Sequence, residues 1–150
     1  MRYYESSGFG KVYTLRINPG EDLLKEIECF IEQTGLKYGT VVTGIATFKE
    51  CTLHMVTTTG YPAVEHFEVW EDKPLELSAI SGVIANGVPH LHMVVSDKNY
   101  AYSGHVEPGC IILYLCEIVI AEIKDGNFKR IRDNHGLNQL VGIDEDEVIG

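Results

Sequence analysis

Only one stretch of this chain repeats its apolar residues at helical spacing, and that limits the folds open to it. From about Glu21 to Thr34, Leu23, Leu24, Ile27, Phe30 and Ile31 form a single stripe. Glu21 and Asp22 fall in the first turn, where carboxylates favour the positive end of the helix dipole, and Gly35 supplies the stop. Before it, residues 11–17 alternate, with Tyr13, Leu15 and Ile17 on one face, until Asn18-Pro19-Gly20 ends the strand. From Gly39 onward the texture is short β-rich runs at 40–48, 51–58, 64–70, 75–85, 90–96, 101–106 and 111–123. Gly, Pro or Asn/Asp separates most of them. One amphipathic helix packed on a mostly antiparallel sheet is an α+β fold. At 150 residues the chain suits one domain, expected over 1–132. Residues 133–150 lose periodicity and end in Asp144, Glu145, Asp146 and Glu147, and they read as a loosely held acidic tail.

Charge excludes one class of partner. Twelve Lys+Arg against 22 Asp+Glu give a net charge of −10, and without those four acids the body still carries −6. Lys124, Lys129, Arg130 and Arg132 make the densest basic stretch, and Asp125 and Asp133 interrupt it. Such a surface repels a phosphate backbone, so nucleic-acid binding by the usual electrostatic route is disfavoured. Cys29, Cys51, Cys110 and Cys116 show no C-x-x-C spacing, and three sit in apolar runs where a reduced thiol packs as a small hydrophobe. The first residues lack the apolar core of a secretory signal. The greasiest segment, Ile111 to Ala121, is broken by Glu117 and too short to span a bilayer. The expectation is a soluble, cytoplasmic protein with no membrane partner.

Three of six histidines lie close together: His90 and His92 in Pro89-His90-Leu91-His92-Met93, and His105 in Ser103-Gly104-His105-Val106. On a strand, His90 and His92 share a face while Leu91 and Met93 take the other. Asp97-Lys98-Asn99-Tyr100 reads as a hairpin turn, and pairing across it places His105 directly opposite His92. His90 is then the diagonal neighbour. A turn longer or shorter by one residue would send His105 to the opposite face. Three imidazoles on one face suit Zn²⁺, with Fe, Ni and Cu as its neighbours by affinity, and leave a fourth position for water or a small-molecule ligand. His-x-His also occurs as a merely exposed polar face; the match in parity and Gly104, which permits close backbone approach, favour the metal. His54 and His66 lack a spaced partner and read as structural or surface residues, and His135 as a turn residue. Glu76 and Glu117, each inside an apolar strand, are the candidate carboxylates for proton transfer or for orienting an imidazole.

The ordered motifs Arg16-x-x-Pro19-Gly20-Glu21-Asp22, Gly44-Ile45-Ala46, Leu75-Glu76-Leu77-Ser78-Ala79-Ile80-Ser81-Gly82, Pro89-His90-Leu91-His92 and Ser103-Gly104-His105-Val106 resemble the plants-and-prokaryotes-conserved (PPC) domain family. The resemblance covers roughly residues 10–123. It implies an α+β domain that assembles as a homotrimer. It also implies a zinc-type site in stand-alone prokaryotic members, carried here by His90, His92 and His105. The family's DNA-binding label rests on AT-hooks in plant members, and the Arg-Gly-Arg-Pro core such a hook needs is missing here. At the level of fold, the His-x-His…His arrangement is also similar to the zinc site of acetolactate decarboxylases. Two functions therefore stand side by side: a metal-binding protein holding a small ligand, and a zinc-dependent enzyme of hydrolase or decarboxylase type acting on a small polar substrate.

Overall fold

The computed structural model describes residues 1–146. Its elements run β1 (Gly8–Ile17), α1 (Leu23–Thr34), β2 (Gly39–Val56), β3 (Glu65–Trp70), β4 (Leu75–Ala85), β5 (Val88–Ser96), β6 (Ala101–Val106), β7 (Ile111–Lys124), β8 (Phe128–Arg132) and β9 (Asn138–Gly142). The main sheet has the order β1-β7-β2-β4-β5-β6, with β3 paired to the far end of β2. All its pairings are antiparallel. The molecule is thus mostly antiparallel sheet with a single helix among the described residues, an α+β arrangement dominated by its strands. That helix is neither long nor apolar enough to cross a membrane.

The helix begins at Leu23, the first residue of its stripe and two residues after the expected Glu21, because Asp22 caps it. Asp22 Oδ1 accepts from the amides of Leu24 and Lys25 at 3.0 and 3.2 Å, which satisfies two of the orphan donors of the first turn. Its Oδ2 accepts from the Gly109 amide at 2.6 Å, tying the helix to the β6–β7 loop. Gly35 ends the helix at φ 68°, the left-handed conformation that glycine adopts without a Cβ penalty. Leu23, Ile27 and Ile31 enter the core beside Phe48, Leu75, Leu91 and Ile118.

The runs 40–48 and 51–58 belong to one strand. The buried positions of β2 pass from Gly39 and Val41 to Ala46 and Phe48, then to Cys51 and Leu53, so the parity of the inward face changes twice. Irregularities in its pairing with β7 fall at Val41/Thr43, Ala46/Phe48 and Phe48/Glu50. Each bulge adds a residue and bends the strand. The bent β2 pairs with β7 and β4 through its first half and with β3 and β6 through its second. Because β6 returns to β2, strands β2, β4, β5 and β6 make a closed circuit of pairings.

The expected loose tail carries structure. Residues 138–142 form β9, paired with β8 from Phe128↔Gly142 to Arg132↔Asn138, and Phe128 and Val141 are buried. Asp133 organises the turn between them, accepting from the amides of His135 and Leu137 at 2.9 Å and from Gln139 Nε2 at 3.0 Å. Short strands with one apolar face carry little periodicity, which is why this pair is faint in the sequence. Of the acidic run, Glu147 lies outside the described residues.

Candidate metal centre

The β5–β6 hairpin has the expected register. Asp97 Oδ1 accepts from the amides of Asn99 and Tyr100 at 2.7 and 2.8 Å and closes the turn. Pairing then runs Ser96↔Ala101, Met93↔Gly104 and His92↔His105. Leu91, Met93 and Val95 are buried, so His90 and His92 stand on the outer face. His90 Nε2 and His92 Nε2 lie 3.2 Å apart. The His105 ring centroid is 4.8 Å from that of His90 and 5.4 Å from that of His92. The structure therefore brings the three histidines together.

Two further residues join them. On β2, His54 pairs directly with His105, and their rings stack at 4.5 Å. Glu107, two residues beyond His105, places Oε1 2.6 Å from His54 Nδ1 and 3.1 Å from His105 Nδ1. Donor atoms of His54, His105 and Glu107 all lie within 4.8 Å of one another. Two overlapping donor sets thus share His105. His105 Nδ1 is buried and, despite its closeness to Glu107, is not aligned for a hydrogen bond. Imidazole nitrogens gathered beside a carboxylate, one of them buried and outside any aligned hydrogen bond, make a cluster that a cation suits. The donor set, imidazoles with one carboxylate, fits a divalent transition metal.

His54 corrects its reading as a structural or surface residue, since its partner comes from the β2–β6 pairing. Glu107 sits on the same face as His105 at strand spacing, so its approach was legible in His105-Val106-Glu107. The two carboxylates expected from sequence lie elsewhere. Glu117 is exposed and opposite Ile45, nine residues along β2 from His54, about 30 Å at strand rise. Glu76 is exposed and opposite Ser96, four residues, about 13 Å, from His92. Neither carboxylate belongs to the cluster. His66 instead lies 3.0 Å from Glu68 on the exposed face of β3.

Burial pushes His90 down to about 4, helped by the charges of His105, Arg130, His92 and His54. Burial, then His54, also lowers His92. In His105, burial and His54 outweigh the opposing pull of Glu107. The three rings are consequently held neutral at pH 7, the form that ligates a metal. A cleft of ≈ 430 Å³ opens over them, lined also by Arg130 and residues 136–139 of the β8–β9 hairpin.

The family profile described as the Plants and Prokaryotes Conserved (PCC) domain matches residues 4–124. The chain is 34% identical over 124 residues to the bifunctional protein GlmU of Synechococcus sp. (strain JA-2-3B'a(2-13)), covering 82% of this chain and 18% of the relative. It spans only 18–20% of the length of the curated relatives it matches. A metal-containing protein from Archaeoglobus fulgidus superposes with TM-score 0.78 at 22% identity, covering 94% of this chain and 99% of the other. The acetolactate decarboxylase of Bacillus subtilis strain 168 superposes with TM-score 0.52 at 17% identity, over 81% of this chain and 54% of the enzyme, a likeness of fold.

Proposed function

The chain belongs to the Plants and Prokaryotes Conserved domain family, and from that premise we propose that it is a homotrimeric protein binding a divalent metal, zinc by donor chemistry, at His90, His92 and His105. The observation that carries this reading is the convergence of those imidazoles, His90 Nε2 lying 3.2 Å from His92 Nε2 with the His105 ring centroid 4.8 and 5.4 Å from theirs. His54 and Glu107 flank the site and orient His105. Three protein ligands would leave a bound metal a fourth position for a small ligand, and the cleft lined by the three histidines gives such a ligand room. The trimer rests on the family, and the exposed apolar residues Val42, Ile45, Tyr114 and Leu115 support burial of that outer surface in an assembly. The four unbridged cysteines support a reducing, cytoplasmic setting.

Elemental analysis of the purified protein beside His92→Ala and His54→Ala tests the metal. The expected result is about one metal per chain, lost in His92→Ala and retained in His54→Ala. No metal after metal-supplemented expression overturns the reading. Loss in His54→Ala with retention in His92→Ala moves the ion to His54, His105 and Glu107. Light scattering tests the trimer.

A second reading, a zinc-dependent enzyme of hydrolase or decarboxylase type, is favoured by the ≈ 430 Å³ cleft with a guanidinium and Glu65 beside the histidines. A bound metal would polarise a carbonyl or activate water there. Glu107 then replaces Glu76 and Glu117 as the carboxylate within reach.

A further inference from the structure

Part of the lining of the histidine cleft comes from β8, β9 and the turn between them, beyond the residues matched by the family profile. Arg130 projects from β8 into the space shared with His90, His92, His105, Leu137 and Asn138. The partners of its guanidinium among the described residues are two backbone carbonyls at 3.4 Å, Val88 O to Nη1 and Val83 O to Nη2. That is the long edge of hydrogen bonding, and it engages two of five N–H donors. No ion pair among the described residues involves Arg130. Burial works against the charged guanidinium, and no carboxylate offsets it. A half-buried, underused guanidinium facing a cleft is built for an anion that comes from outside.

We propose that this cleft binds a small monocarboxylate, its carboxyl group paired with the Arg130 guanidinium and its other end directed at the histidine cluster. The volume, ≈ 430 Å³, lies in the range of small-ligand sites. Charge selects the class. The guanidinium and a metal at the histidines attract an anion, while Glu65, which lines the same cleft 3.8 Å from His54, repels a second negative charge. A carboxylate therefore suits the site better than a phosphate dianion. The wall is organised in advance: Arg132 Nε donates to Gly136 O at 2.8 Å, and the His135 ring stacks on Tyr61 with centroids 3.9 Å apart. A preset wall lowers the ordering cost of binding. The proposal extends the metal reading, yet its guanidinium half stands without metal.

The test titrates ¹⁵N-labelled protein with acetate, in metal-free and zinc-loaded forms, following the arginine Nε–Hε resonances, with inorganic phosphate as a parallel arm. The Arg130 resonance should shift and saturate with acetate, more tightly with zinc, and not with phosphate. Acetate affinity should fall roughly tenfold or more in Arg130→Gln and stay unchanged in Lys124→Gln, which removes a charge outside the cleft. Arg130→Lys should keep part of the affinity, separating lost charge from lost packing, and thermal melts establish that each variant is folded. Equal acetate binding in Arg130→Gln, an unmoved Arg130 resonance in both forms, or tighter binding of phosphate overturns the proposal. Failure to take up zinc while acetate still moves Arg130 sinks the metal reading and leaves the carboxylate site standing.

Discussion

Gly104 lies where β6 passes over β2, and adding one methyl group there tests how the histidine cluster is held. A Cβ at Gly104 would stand 2.6 Å from the His54 carbonyl oxygen and 3.1 Å from Leu53 Cβ, where ordinary contact begins at 3.4 Å. Neither atom is the end of a flexible side chain. In Gly104→Ala the two strands must therefore part by roughly 0.8 Å, and such overpacking costs about 1–3 kcal/mol. The pairs affected, Leu53↔Val106 and His54↔His105, are the ones joining β6 to β2. His105 should move with its strand away from His54 and Glu107 while keeping its pairing with His92. Urea unfolding should show a midpoint lowered by that energy divided by the slope, with the slope unchanged. Competition with a chromophoric chelator should show zinc affinity down roughly tenfold, as metal sites lose affinity when their supporting contacts are disturbed. Gly60→Ala is the control: nothing lies within 4 Å of its Cβ, and the expected change is within about 0.5 kcal/mol. A Gly104→Ala protein as stable as the unaltered chain would refute the argument from close approach.

Other expectations are independent of that contact. Asp22→Ala removes the helix cap and orphans the part-buried Gly109 amide, which together should cost about 2–4 kcal/mol in denaturant unfolding; a loss below about 1 kcal/mol would contradict the dual role. In metal-free protein, His90 binds its proton only near pH 4 against an ordinary 6.5, so the unfolded chain takes up the extra proton between those values. Stability should hence fall as pH drops from 6.5 toward 4; solvent screening at this half-exposed ring reduces the His90 share to roughly 1 kcal/mol. A melting temperature that rises over that interval would reverse the sign. The acidic body predicts no retardation of duplex DNA in a low-salt mobility shift, and a clear shift would restore the nucleic-acid reading.

What the sequence by itself determined is everything governed by neighbours along the chain. The α1 stripe with Gly35, the alternation of β5, and the Asp97–Tyr100 turn depend on local periodicity and turn chemistry. The turn sets the register, so the meeting of His92 and His105 was legible before any coordinates. The ordered motifs likewise sufficed for the family. Tertiary structure decided what depends on distant strands. The bulges of β2 change its inward parity twice, hiding a single strand as two and concealing that His54 faces His105. Glu76 and Glu117 sit in apolar runs, yet both point to solvent far from the cluster, because a run alone does not say which face a sheet buries. Arg130 reaches the histidines only because β8 and β9 fold back as a hairpin across residues that read as body and tail. Local rules place a side chain on one face of its own strand. Which strands then curl together, and which end of the chain covers them, is settled by packing over long sequence separations, where no periodic signal survives.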